Sequence, residues 1–162
     1  MLIDLHVHTL LSSDSNVAPE QYVEAAARGP RRLDAICFTE HRLFPADAAL
    51  DQTYGELSER FGVRVFKGVE ADTDFGHLLI FGVNREIQRR FDLDARMHRA
   101  EQMLEVVHGE GGIAIGPSAD GEGDGESFAL RGIFCVESPL CVGCAPFAVD
   151  QYLSCDLNHI HW

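Results

Sequence analysis

The chain has 162 residues, 46% of them hydrophobic and 24% charged, which is enough to bury one core, and we expect a single domain over residues 1–162. Its net charge of −13 disfavours nucleic acid as a partner, because so acidic a surface repels a phosphate backbone. No apolar run approaches the ~18 residues that span a bilayer, no secretion signal is evident, and five cysteines are an odd number for a disulfide framework. We therefore expect a cytoplasmic location and no membrane partner, with any oligomeric state possible.

The first residues, 1–7, are rich in Leu, Ile and Val and predict a buried strand. Successive side chains on a strand point to opposite faces, so Asp4, His6 and His8 project the same way. Two imidazoles at this spacing suit a divalent ion, with Asp4 as a further ligand or as an acceptor that fixes a histidine tautomer. The alternative is that the histidines merely end a strand in a polar loop.

Helices and strands alternate along the next hundred residues. A polar loop over 10–17 carries Asp14, and Pro19 begins the first helix. The remaining predicted elements are strands at 33–39, 63–67, 77–83 and 112–115, a helix over 45–61, and a helix capped by Asp94. Strands that alternate with helices imply right-handed β-α-β units and a parallel sheet, either open or rolled into a barrel.

Metal-ligating side chains fall at the ends of these strands. His41 follows the second strand, Glu70 follows the third, and His77 begins the fourth. In parallel α/β folds the C-terminal edge of the sheet is where active sites are assembled, so we expect these residues to converge with His6 and His8. Imidazoles and carboxylates are the ligands that zinc, manganese or iron prefer.

Four motifs in this order resemble the PHP family, which is named for polymerase and histidinol phosphatase. They are Asp4-Leu5-His6-Val7-His8-Thr9 with Ser13-Asp14 and Pro19-Glu20, Phe38-Thr39-Glu40-His41, Gly68-Val69-Glu70, and Gly76-His77-Leu78-Leu79. The resemblance covers residues 1–115. It implies an α/β fold of the distorted (β/α)7 barrel type, with up to three divalent ions (zinc, manganese or iron), that hydrolyses phosphate esters.

The resemblance also implies a role for each matched residue. The first ion is bound by His6 and His8, Glu70 bridges it to a second ion that His77 also binds, and the third ion is served by Asp14 and His41. A metal-bound hydroxide then attacks a small phosphorylated substrate, and no nucleophilic side chain is required.

Two residues next to His41 need separate comment. The family often has Asp where this chain has Glu40, a mild change because that carboxylate is adjacent to a ligand rather than a ligand itself. Arg42 is a candidate phosphate clamp, and its alternative is a surface arginine.

The resemblance weakens after Ile115, and residues 116–162 are divergent. The family's Ala-His-Pro motif, whose His completes the second metal site, is replaced by Ile115-Gly116-Pro117-Ser118, so that water or Asp120 would have to substitute. The closing Ser-Asp-x-His motif has approximate counterparts in Asp156 and His159, although their spacing differs by at least one residue. A sixth strand over 130–136 fits the family, and we expect a barrel that is incomplete or irregular at this end.

Four of the five cysteines lie in the divergent segment. Cys141, Cys144 and Cys155 with His159 and His161 have the ligand types of a small zinc knuckle, but we favour reduced cysteines packed as small apolar residues. A third hypothesis is that this segment is the truncated or frame-altered end of a longer gene product.

Two functions remain open at this stage. The first is a metal-dependent phosphoesterase that acts on a small phosphorylated substrate. The second is a catalytically impaired module of the same family that binds metal or serves as a regulatory or interaction domain. The N-terminal ligands favour the first, and the missing Ala-His-Pro histidine favours the second.

Overall fold

A computed structural model describes residues 1–82 and 85–116, with Arg85 and Glu86 described by their backbone alone. In chain order its elements are β1 (Ile3–Val7), α1 (Pro19–Arg28), β2 (Ala35–His41), α2 (Ala48–Phe61), β3 (Arg64–Thr73), β4 (Gly76–Phe81), α3 (Arg85–Arg90), α4 (Ala100–Gly109) and β5 (Ile113–Ile115). The predicted strand at 130–136, the candidate ligands Asp156 and His159, and the cysteine-rich segment lie outside the described residues.

The strands form one curled, half-barrel sheet in the order β1-β2-β3-β4-β5. β1, β2 and β3 run parallel to one another, whereas β4 runs antiparallel to both β3 and β5. The expectation of an all-parallel sheet is therefore wrong at β4. Only Asp74 and Phe75 separate β3 from β4, and a connection this short can join antiparallel strands but leaves no room for a crossover helix.

The core lies on both faces of the sheet, as the alternation of side chains along β2 illustrates. Ile36 and Phe38 pack beneath α1 and α2, in a cluster that also contains Val23 and Tyr54. Cys37 points to the opposite face and is fully buried. A further cluster joins the β3–β4 hairpin to α4. Residues on both faces of β2 are thus removed from water, as its continuous apolar sequence indicates.

The predicted start of the last helix is wrong by about one and a half turns. α4 begins at Ala100, and Asp94 does not cap it. The backbone of His98 instead pairs with the β3–β4 hairpin, since its N–H donates to the carbonyl of Asp72 at 3.0 Å and its carbonyl accepts from Asp74 at 2.8 Å. The Asp74 side chain also accepts the N–H of Ala100 at 2.8 Å. These tertiary contacts, which no local pattern shows, delay the helix.

Two further differences concern helix boundaries. α2 begins at Ala48 rather than at Pro45, because the side chain of Asp47 accepts the N–H of Ala49 and caps the helix there. The short helix α3 follows β4 and was not predicted. In the described part of the chain, no helix is long and apolar enough to cross a membrane.

Gly68 lies where three strands approach one another closely. A Cβ at this position would lie 2.7 Å from the carbonyl oxygen of Ile80 and 2.9 Å from Cγ2 of Thr39. Gly55, in the exposed part of α2, has open space around the same position.

We expect Gly68→Ala to lower the free energy of unfolding by about 1–3 kcal/mol, because the added methyl group overpacks the sheet. The matched variant Gly55→Ala should raise it by about 0.5–1 kcal/mol, because alanine loses less conformational freedom in a helix. Urea unfolding followed by circular dichroism measures both. Equal effects of the two substitutions would contradict this account of the sheet.

Candidate metal centre

The curled sheet brings the predicted ligands to one edge. β1 carries His6 and is followed directly by His8, β2 ends at His41, and Glu70 lies towards the C-terminal end of β3. His77 reaches the same edge because β4 runs in reverse, so that its beginning is paired with the end of β3. The reversal that the sequence analysis missed is therefore what places this histidine.

Glu70 is the centre of the group, and only 2% of it is exposed. Its Oε2 lies 3.3 Å from Nε2 of His6, 2.8 Å from Nε2 of His8 and 3.1 Å from Nδ1 of His41. Its Oε1 accepts a hydrogen bond from Nδ1 of His77 at 2.7 Å. One carboxylate thus contacts the imidazoles of the four predicted histidine ligands that lie within the described residues.

Asp14 forms the second carboxylate of the cluster and comes from the loop after β1. Its Oδ2 lies 2.8 Å from Nδ1 of His8 and 3.1 Å from Nε2 of His41, and both rings donate to it. His8 and His41 therefore each face Asp14 with one ring nitrogen and Glu70 with the other.

The surroundings of Oε2 of Glu70 indicate that the cluster fits divalent cations. This oxygen is buried and has no hydrogen-bond partner, although three ring nitrogens lie within 3.3 Å of it. A neutral imidazole has a single N–H, so a ring that donates to Asp14 presents a lone pair to Glu70. In their neutral forms His8 and His41 therefore turn lone pairs toward the Glu70 carboxylate, which is unfavourable unless a bound proton or a cation places positive charge among them.

Three overlapping groups have ligand atoms within 4.8 Å of one another. They are His6, His8 and Glu70; His8, Asp14 and His41; and His41, Glu70 and His77. Each group combines nitrogen and oxygen ligands of the kinds that zinc, manganese and iron accept.

The electrostatics of the metal-free cluster follow from the same contacts. Burial alone would lower the pKa of His8, but the carboxylates of Glu70 and Asp14 outweigh burial and raise that pKa to about 9. Burial would raise the pKa of Glu70, but the imidazoles of His6 and His8 hold it well below its ordinary value. The pKa of Asp14 is lowered for the same reason, against burial, by His8 and His41. The carboxylates thus favour positive charge at this edge.

Arg42, the candidate phosphate clamp, lies beside this cluster and is held there by two contacts. Its backbone has a positive φ of 55°, and its N–H donates to the carbonyl of Glu70 at 2.8 Å. Its guanidinium donates to Oδ2 of Asp72 at 3.0 Å. Arg42 is therefore a half-buried arginine paired with Asp72, and both its interpretations, a phosphate clamp and a surface arginine, remain predictions.

Asp72 lies beside this cluster, although the sequence analysis did not name it as a site residue. Its Oδ1 lies 3.5 Å from Nε2 of His77, and its other oxygen binds Arg42. The signal that was available is its spacing of two from Glu70, which places both carboxylates on the same face of β3.

The sequence analysis considered Asp4 as a ligand or as an acceptor for a histidine ring. Its side chain instead accepts the backbone N–H of His6 at 3.1 Å, and it belongs to none of the three groups. It lines a cleft of about 390 Å³ beside the cluster, together with residues that include Ser15 and Tyr22. A cleft of this size suits a small molecule.

Known proteins resemble this chain over part of its length. A family model described as PHP domain matches residues 4–115. The phosphoribosyl 1,2-cyclic phosphate 1,2-diphosphodiesterase of Eggerthella lenta is 37% identical over 94 residues, which cover 51% of this chain and 31% of that protein. The chain thus spans about a third of the length of this curated relative. Among solved structures, PsfC from Pseudomonas syringae PB-5123 is 22% identical with a TM-score of 0.46, and the match covers 70% of this chain and 53% of PsfC.

We expect Glu70→Gln to weaken binding of Mn²⁺ to the metal-free protein by more than about 100-fold, because loss of a ligand exceeds the 10–100-fold loss of an outer partner. Isothermal titration calorimetry measures the affinity. Glu59→Gln, at an exposed position of α2, removes the same charge away from the cluster and serves as the control. Unchanged Mn²⁺ affinity in Glu70→Gln would contradict a metal centre at this edge.

Proposed function

Since this chain belongs to the PHP domain family, we propose that it is a metal-dependent phosphoesterase that hydrolyses an ester of a small phosphorylated compound. The observation that carries the proposal is the buried, unpartnered Oε2 of Glu70, which faces three imidazole nitrogens. Structural ion pairs also surround buried carboxylates, but they satisfy both oxygens with donated protons. A set of converging lone pairs is instead what a cation site requires.

The assignment of ligands to ions follows the family resemblance, within one limit that imidazole chemistry sets. A neutral imidazole can ligate through one nitrogen only, so each histidine serves a single ion. We assign His6, His8 and Glu70 to one ion and Glu70 with His77 to a second. The third ion, with Asp14 and His41, completes the set of up to three divalent ions, with zinc, manganese or iron as candidates.

Divalent ions bound there would supply Lewis acidity, which activates water and neutralises phosphoryl oxygens. The protein residues would hold these ions in fixed relation, because the histidines and Glu70 come from the ends of strands joined by backbone hydrogen bonds. A metal-activated water would serve as the nucleophile, so that no serine or cysteine nucleophile would be required.

Arg42 is the residue that we propose for contact with the phosphoryl group. Its guanidinium lies at the rim beside His77, with about a quarter of its side chain exposed, 27%. Asp72 orients it in the absence of substrate, and a phosphate offers the same guanidinium a second anionic partner. The net charge of −13 favours a small substrate over a polyanion.

The printed name of the Eggerthella lenta relative suggests which substrates to test first. That protein is named as a diphosphodiesterase of a phosphoribosyl cyclic phosphate. We therefore propose that phosphodiesters should be compared with phosphomonoesters. The second candidate function, a catalytically impaired metal-binding module, rests on Gly116, which offers no side-chain ligand where the family's Ala-His-Pro motif has histidine.

Turnover of an aryl phosphodiester and an aryl phosphomonoester, with added Mn²⁺ or Zn²⁺, tests the proposed activity. We expect hydrolysis of at least one substrate, loss of activity with a chelator, and a fall of more than about 100-fold in kcat/KM for His6→Ala or His77→Ala. Glu59→Gln should retain full activity. Metal bound without turnover would favour the impaired module, and neither metal nor turnover would exclude both functions.

The role of Arg42 is tested by Arg42→Gln. We expect KM to rise by about 10–100-fold, the equivalent of a lost charge-assisted hydrogen bond, with a smaller change in kcat. Arg60→Gln, which removes an exposed arginine of α2 paired with Glu20, should leave both constants unchanged. A change in kcat alone would contradict a phosphate-binding role.

A further inference from the structure

Glu40 is a buried carboxylate on the face of β2 opposite to the metal centre. It is 0% exposed and follows Ile36 and Phe38 in the alternation that points towards the helices. In the described part of the chain no lysine or arginine lies within ion-pair distance of it. A buried charge without a cation is costly unless several hydrogen bonds satisfy it.

The hydrogen bonds of Glu40 all come from the loop that follows β1. The backbone N–H of Thr9 lies 3.2 Å from Oε1 and 3.1 Å from Oε2, and the Thr9 hydroxyl donates to Oε1 at 2.6 Å. The Ser12 hydroxyl donates to Oε2 at 2.5 Å. Both oxygens are therefore used, and both partners lie in the segment between His8 and Asp14.

Ser12 extends this contact to a third ligand. Its hydroxyl oxygen accepts the backbone N–H of His41 at 3.0 Å. A hydroxyl has one proton, and ionised Glu40 can only accept, so the proton points to Glu40 and a lone pair points to His41. The carboxylate thus fixes the direction of the whole chain of hydrogen bonds.

Besides Glu40, the loop is held by the contacts of Asp14 with His8 and His41 and by the hydrogen bond from the N–H of Leu10 to the carbonyl of Val17. Among residues 9–18, Thr9 and Ser12 are the two fully buried residues, and both bind Glu40. The apolar side chains Leu10 and Leu11 are 53% and 39% exposed, so hydrophobic burial contributes little to the position of the loop.

We infer that Glu40 is a positioning residue for the group His8, Asp14 and His41. It locks the loop after β1 onto the end of β2, and so sets the distance between ligands that belong to different elements. The inference rests on the proposed function, because the spacing of these residues matters only when they bind ions. Glu40 itself touches neither ion nor substrate.

Titration of the metal-free protein with Mn²⁺ tests this role. Glu40→Gln keeps the shape but replaces one acceptor oxygen with a donor, and Ser12→Ala removes the link to His41. We expect each variant to weaken the most weakly bound Mn²⁺ by about 10–100-fold. Since both act through one chain of contacts, the double variant should be no weaker than the more affected single variant. Glu40→Asp, which keeps two acceptor oxygens, should bind more tightly than Glu40→Gln, and Glu59→Gln should match the wild type.

Amide hydrogen exchange of the metal-free protein gives a second readout. Exchange over residues 9–14 and at His41 should accelerate in Glu40→Gln, while exchange in β3 stays at the wild-type rate. Acceleration throughout β3 would overturn the inference, because Glu40 would then act on the fold as a whole. If Glu40→Gln fails to fold, Ser12→Ala carries both measurements.

The two proposals fail in different ways. Wild-type protein that binds Mn²⁺, together with Glu40→Gln and Ser12→Ala variants that bind it equally well, would overturn the role of Glu40 and leave the metal centre intact. Wild-type protein that binds no Mn²⁺ would overturn both.

Discussion

The burial of the Glu70 carboxylate is the constraint on which the rest of the described structure depends. A carboxylate that is 2% exposed must be matched by positive charge or donated protons. Here four imidazoles from the ends of β1, β2 and β4 surround it. The curl of the sheet, the close approach of strands at Gly68 and the reversed direction of β4 together bring these four rings to the carboxylate of Glu70.

The sequence predicted which residues form the cluster better than it predicted the strand directions and tertiary contacts that bring them together. His6, His8, Asp14, His41, Glu70 and His77, named from motif order, all lie in the three groups. Residue types at strand ends indicated the histidines and Glu70, whereas Asp14 was named only through the resemblance to the PHP family. Their roles as ligands, the single-domain organisation and the parts assigned to Asp156 and His159 remain predictions.

Features that depend on tertiary contacts escaped the sequence analysis. The hairpin between β3 and β4 was read as one more step of a parallel sheet, because a continuous apolar strand carries no mark of its direction. The start of α4 was misplaced because the backbone of His98 pairs with the hairpin before the helix begins. The sequence analysis did not name Asp72 as a site residue and took Glu40 as a mild substitution. The hydrogen-bond partners of both residues lie 28 to 31 residues away in the chain. Local periodicity contains no information about such partners.

In the described part of the chain, all three groups of ligand atoms come from residues 6 to 77. Helices α1 and α2 connect the parallel strands β1, β2 and β3. During synthesis from the N-terminus, all of these side chains are added to the chain before α3, α4 and β5.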